Sequence, residues 1–271
     1  GIIVIIIMAI CVFSIVEINP PTQSAGKSSL VKDISSLVKN KYYIMFLGEV
    51  FFLFLGYLSM YGAMQYYYTY IVGDVSGMSL ALTLLTLLAI PTMILAAYLN
   101  GKGIAKIKLI QFGAIVDIVG YAILFFTSDG TIATAALGLI GLGFGFRSSM
   151  FFSMMPDIFD YTEWQVGRNL GGTQNAIQGF VNKVSSAAAS AIVSALLVWG
   201  NYDASKLDKA IADGVDIATK YPQTHTAINF AFGGLALVST VMAVVVLLPY
   251  DLDKKYPQIR ADLDKRHNEN A

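Results

Sequence analysis

The chain has 271 residues, 56% of them hydrophobic and only 13% charged, with a mean hydropathy of +0.63. A soluble domain carries about 25% charged residues, so half that share excludes an ordinary water-soluble fold and makes lipid the expected solvent. Net charge is zero, which excludes nucleic acid as a partner because no basic excess offsets phosphates.

The chain opens at Gly1 inside an apolar run, GIIVIIIMAICVFSIV. No basic segment precedes the run and no small-residue cleavage site follows it, so it is a poor signal peptide. It is read as the end of a membrane helix, and the chain as a fragment. A spanning helix needs roughly 20 apolar residues, and seven segments are expected, at about 1–16 (short), 44–72, 78–99, 107–127, 131–155, 172–199 and 227–249. The fold class is therefore all-α, a polytopic membrane protein. Residues 17–43, with Pro20, Pro21, Gly26 and clustered Ser and Lys, have linker composition. Within them SLVKDISSLVKN has helical apolar spacing suited to a membrane surface. The domain order is thus a first membrane segment over 1–16, a linker over 17–43, a six-helix bundle over 44–249 and a tail over 250–271. Six spans after a long linker suit one half of a duplicated bundle.

Lysines and arginines set the expected orientation. Thirteen fall in the linker, the 100–108 and 156–171 loops and the tail; three, Lys206, Lys209 and Lys220, fall in the 200–226 loop. The linker and the C-terminus are expected in the cytoplasm, in a cell membrane. The remaining two cations, Arg147 and Lys183, lie within spans.

Within the spans, polar groups are costly and mark function or structural pairing. Along 172–199, Gln174, Gln178, Asn182 and Ser185 fall within about 80° of arc, with Asn175 just beyond and Lys183 at the border. A polar half-cylinder in a membrane helix faces a cavity or a partner helix. Either these amides and the lysine bind hydroxyls of a polar solute, or they make interhelical hydrogen bonds and an ion pair. On the 44–72 helix, Tyr57, Tyr61, Gln65 and Tyr68 share a stripe, and a tyrosine's flat face and hydroxyl suit sugar rings. Tyr66, Tyr67 and Tyr70 read instead as an interfacial aromatic belt. Asp117 is an intramembrane carboxylate, a candidate for ion or proton coupling with Arg147 as partner, or one half of a buried structural pair with it. Glu49 reads as an interfacial charge. Asp157, Asp160 and Glu163 share one face if the helix continues past Pro156, and with Arg168 they form either a salt-bridged cytoplasmic gate or a solvated helix end.

Other motifs fail. Gly26–Ser28 would need a glycine at position 21 for a phosphate loop, where Pro21 stands. The glycines of Gly141–Phe146 sit inside a span and suit close helix packing. Cys11 has no partner for a disulfide, His225 and His267 lack metal-ligand spacing, and no Ser/His/Asp or Cys/His set exists. No cofactor, no metal site and no enzyme are expected.

The hairpin spells Asp157, Asp160, Tyr161, Glu163, Trp164, Gly167 and Arg168, then Gly171 or Gly172, Gln178 and Lys183. This pattern resembles the glycoside–pentoside–hexuronide:cation symporters, the melibiose-permease-like branch of the major facilitator superfamily. Gly62–Asp74 and Tyr250–Leu263 are similar to that family too. The resemblance implies a twelve-helix, two-bundle transporter. This chain would hold its C-terminal six-helix bundle and the end of helix six, the last helix of the N-terminal bundle. It places Gln178 and Lys183 at the sugar or sugar–cation site, and Asp157, Asp160 and Arg168 in a cytoplasmic closing network. Gly179 departs from a hydroxyl-bearing residue common in melibiose permeases, which leaves the sugar open. The implied function is symport of a glycoside, pentoside or hexuronide with Na⁺ or H⁺, with the cation site in the N-terminal half. The implied partners are the sugar, the lipid bilayer and the N-terminal bundle. A lysolipid-type symporter and a non-transporting sensor or half-length product remain open alternatives.

Overall fold

The computed structural model describes residues 30–269 together with Met8. Apart from Met8, the segment expected at 1–16 lies outside these residues, as does the first part of the linker, 17–29. Every described element is helical. Helix α1 spans Leu30–Lys39 and α2 spans Lys41–Tyr67, extended by a π-turn over Tyr68–Val72. Next come α3 (Ser76–Gly101), α4 (Lys106–Phe126), α5 (Gly130–Val166) and α6 (Gly171–Trp199). Two short helices, α7 (Ala204–Ala212) and α8 (Ile217–Lys220), cross one end of the bundle. Helix α9 (Pro222–Asn229) runs through a π-turn over Phe230–Gly234 into α10 (Leu235–Leu247), and α11 (Leu252–Glu269) follows. Six of these continuous helices are long and apolar enough to cross a membrane, so the described chain is a multi-pass membrane bundle.

The helix starts follow local chemistry. Asn40 caps α2 by accepting from the Tyr42 and Tyr43 amides at 3.0 and 3.2 Å. Asp129 caps α5 in the same way at 2.8 and 2.9 Å. Each cap satisfies amide donors that the first turn leaves unpaired. Pro222 opens α9, where its missing N–H costs nothing, so the last span starts about five residues earlier than expected. Helix α5 ends some ten residues later than expected, because Pro156 is absorbed inside it and the helix runs on to Val166.

The bundle is two groups of three helices. Helix α5 packs along α3 and α4, and α2 packs along α6 and α10. Glycine decides how closely the first group approaches. A Cβ added at Gly141 would lie 2.2 Å from the Leu85 carbonyl oxygen, and one at Gly145 would lie 2.4 Å from that of Ala89. A Cβ at Gly143 would sit 2.5 Å from the Gly113 carbonyl oxygen on α4. Three glycines therefore let backbone meet backbone, as expected of small residues in membrane helices.

The aromatic belt expected near the end of α2 is corrected. Tyr67 and Tyr68 are fully buried; Tyr67 stacks on Phe232 at 4.4 Å and Tyr68 bonds Thr134 at 3.1 Å. Tyr66 and Tyr70 are half-buried and pack edge-on against Tyr202, beside α7. Tyr68 is covered by Thr134 of α5 and by Phe232, so it lies in the core while Tyr61 and Gln65 of the same stripe stay exposed. The tail is also a packed element, since α11 seats Leu252, Ile259 and Leu263 in the core.

Candidate functional site

Helix α6 carries most of the expected polar arc, and the structure divides it. Gln174 is fully buried. Its amide donates to the Thr162 hydroxyl at 2.9 Å, which also takes Asn40 Nδ2 at 2.8 Å. Its backbone carbonyl accepts from Tyr43 at 2.8 Å. Gln174 thus ties α6 to α2 and α5. Gln178 and Asn182, one and two turns on, are half-buried, and their side-chain carbonyl oxygens are enclosed without a donor. Asn175 and Lys183 are exposed. The six α6 positions do not form one surface: an inner edge of Gln178 and Asn182 adjoins an outer face bearing Asn175 and Lys183.

On α2, Tyr57 and Tyr61 come together. Tyr57 donates to the Tyr61 oxygen at 3.0 Å, with ring centroids 4.7 Å apart. Tyr57 lies flat on Phe144 of α5, 4.9 Å away with 12° between planes. Tyr61 and Gln65 stay exposed. This makes a three-ring platform ending in hydroxyls at the open side of the bundle. Sequence reasoning missed Phe144 because its neighbours Gly143 and Gly145 read only as packing residues. The aromatic between them was the available signal.

Arg147 is almost wholly enclosed and donates through Nη1 to Asp117 Oδ2 at 3.0 Å. It also donates through Nη2 to Glu49 Oε1 at 2.8 Å. The structure therefore brings Asp117 and Arg147 into contact. It corrects the reading of Glu49 as an interfacial charge: Glu49 is 3% exposed. It sits more than two turns inside α2, where the bundle covers it. Asp117 Oδ1 and Arg147 Nε have no hydrogen-bond partner among the described residues. Glu49 comes from the α2 group and the other two from the α3–α4–α5 group, so the cluster ties the two halves of the bundle.

The four charges of the hairpin lie at the end that carries α1 and α11. The helix does continue past Pro156, so Asp157, Asp160 and Glu163 share a face. None pairs with another of the four. Asp157 takes Lys106 Nζ at 2.6 Å, and the same ammonium reaches the Ser153 carbonyl at 2.8 Å. Asp160 accepts from Tyr256 at 2.7 Å and from Arg260 at 3.2 Å. Glu163 meets Asn169 at 3.1 Å and His267 at 2.7 Å. Arg168 pairs with Asp33 of α1. Nearby, Trp164 Nε1 donates to Asp262 at 3.1 Å, and Asp253 accepts the Ile107 amide at the start of α4 at 3.0 Å. Helix α11 thus lies across the ends of α4 and α5, held by alternating charges. Burial, with the hydrogen bond to Asp160 second, pushes the Tyr256 phenol up. Hydrogen bonds from Lys255 and Tyr42 hold Asp251 well below the usual carboxylate range, and the same bond to Asp251 raises Lys255.

Among the described residues no group of three or more His, Cys, Asp or Glu side chains is placed to hold a metal ion. The polar groups at hand are amides, phenols and one ammonium, which suit hydroxyl-rich solutes better than electrophilic chemistry.

Comparison with known proteins agrees with this architecture. The chain is 27% identical to the isoprimeverose transporter of Lactiplantibacillus pentosus over 274 aligned positions, which cover 98% of this chain and 54% of that protein. It is 27% identical over 199 positions to the inner membrane symporter YicJ of Escherichia coli K12, covering 72% of this chain and 39% of that one. It is 22% identical over 166 positions to an Escherichia coli K12 glucuronide carrier protein homolog, covering 60% and 34%. The chain spans about half or less of the length of these curated relatives. A family model described as MFS/sugar transport protein matches residues 1–254, which bears out the resemblance carried by the hairpin. The chain belongs to the MFS/sugar transport protein family.

Proposed function

We propose that this chain forms one wall of a sugar-transport pathway, facing a second bundle that precedes it in a longer polypeptide. The observation that carries this reading is the polar face that the described bundle leaves open. Asn175 and Lys183 on α6, and Tyr61 and Gln65 on α2, are all exposed on helices long enough to span a membrane. Lipid would penalise such a face by several kcal/mol, so it fits a wet pathway or a covering bundle. A sugar at the midplane would stack a C–H face on the Tyr57–Tyr61–Phe144 platform, and its hydroxyls would reach Gln178, Asn182 and Lys183. Gln178 and Asn182 support that role because both side chains are only half-buried, beside the exposed Lys183.

The reading extends to coupled transport. A Na⁺ or H⁺ gradient would drive uptake of a glycoside, pentoside or hexuronide, with cation and sugar together favouring an occluded state. The excess of basic residues puts α1 and α11 on the cytoplasmic side of a cell membrane. There Asp157, Asp160, Glu163 and Arg168 would brace the inner closure through α4, α11 and α1, rather than by pairing among themselves.

The test is uptake of labelled isoprimeverose-like disaccharides and glucuronides by cells carrying the full-length protein. Lys183→Ala is expected to abolish most uptake while the protein still reaches the membrane. Unchanged uptake would remove Lys183 from the site, and competition by lysolipids instead of sugars would overturn the substrate class.

A further inference from the structure

The Glu49–Arg147–Asp117 cluster plays no part in the sugar reading, and its charges do not balance. Two carboxylates face one guanidinium, on side chains 3%, 1% and 2% exposed. An excess charge in so dry a place is expensive, and buried ionisable groups there neutralise instead. Asp117 shows where neutralisation fits. Its Oδ2 is used by Arg147, whereas its Oδ1 is enclosed without a partner among the described residues.

The surroundings of Oδ1 decide what can bind there. A Cβ built on Gly143 would lie 2.2 Å from Oδ1 and 2.5 Å from the Gly113 carbonyl oxygen. The two oxygens therefore crowd around one point against the α5 backbone. A bridging water needs a void of about 10–15 Å³, and a metal ion needs several oxygen ligands around it. A proton needs neither. We propose that the Glu49–Arg147–Asp117 cluster is a proton-binding site, with the proton carried on Asp117 Oδ1. The proton comes from water through the bulk buffer; an O–H bond forms at Oδ1, and the cluster passes from one net negative charge to none. Oδ1 then carries an O–H instead of being an acceptor without a donor. Among the described residues, the other titratable side chain in electrostatic reach of Asp117 and Arg147 is Tyr121 on α4, and a phenol is neutral near pH 7. Because the cluster joins the two helix groups, its proton sits at their seam. The inference goes beyond the transport reading and does not depend on it.

The experiment is infrared difference spectroscopy on the full-length protein in lipid at about pH 7, which needs no transport to occur. In unsubstituted protein, one protonated-carboxyl C=O band is expected that shifts in D₂O. It should shift again when aspartate carries ¹³C at the side-chain carboxyl, and stay in place when glutamate does. Asp117→Asn should remove the band. Glu49→Gln should remove it as well, since Asp117 and Arg147 then balance one to one. A band that survives Asp117→Asn overturns the proposal, as does one that follows the glutamate label. Loss in Asp117→Asn but not in Glu49→Gln would overturn the charge-balance argument behind it.

Discussion

Replacing Arg147 by methionine keeps most of the side-chain length and removes the only cation of the buried cluster. Arg147 makes two charged hydrogen bonds, at 3.0 and 2.8 Å, and each such bond contributes about 1.5–3 kcal/mol. Its loss also strands the Glu49 carboxylate without a counter-charge, and breaking a buried pair by removing one partner costs about 3–5 kcal/mol. Arg147→Met is therefore expected to lose about 3–5 kcal/mol. Arg147→Lys should lose less, because a lysine keeps the charge but gives up the planar fork that reaches two carboxylates at once. Replacing all three residues by apolar ones of similar size should recover most of the loss, since no charge is then left to solvate. The assay is unfolding of the full-length protein in mixed micelles by increasing SDS, followed by circular dichroism. A loss below about 1 kcal/mol for Arg147→Met, within the range of a surface ion pair, would refute the reasoning.

Gly141→Ala pushes a methyl to 2.2 Å from the Leu85 carbonyl oxygen and is expected to cost about 1–3 kcal/mol by overpacking. Gly101→Ala, with nothing within 4 Å, should be neutral or gain up to about 1 kcal/mol; the same SDS titration compares the two. Asn40→Ala removes the α2 cap and the bond to Thr162, so a loss of about 1–2 kcal/mol is expected, with faster hydrogen exchange at the Tyr42 and Tyr43 amides. The folded value of Asp251 is depressed below an unfolded value of about 3.9. Its contribution is therefore complete above the unfolded value and lost as pH falls through the folded one. Proteolysis of α11 should rise on acidification below about pH 4 in the unsubstituted protein, and Asp251→Asn should flatten that acid-side rise; identical profiles would refute the assignment.

The spans were legible because lipid leaves a helix no choice but an apolar run of fixed length. The glycines of 141–145 were legible as packing residues, since close backbone approach tolerates nothing larger. Helix ends were less so: Pro156 suggested a boundary, yet the long α5 absorbs it where α11 packs alongside. Tyr67 and Tyr68 were misassigned because the groups that cover them, Phe232 and Thr134, come from distant parts of the chain.

Sequence by itself determined the solvent, the class of fold, the family and the residue types on offer. These follow from composition, from hydrophobic periodicity and from motifs close together along the chain. Tertiary structure alone decided which polar groups are partnered. Glu49 and Arg147 lie 98 residues apart, Glu163 and His267 lie 104 apart, and Arg168 and Asp33 lie 135 apart. No local rule links such positions. Whether a charge is solvated, paired or left in excess depends on which helices pack together, and that is settled by the shape of the whole bundle.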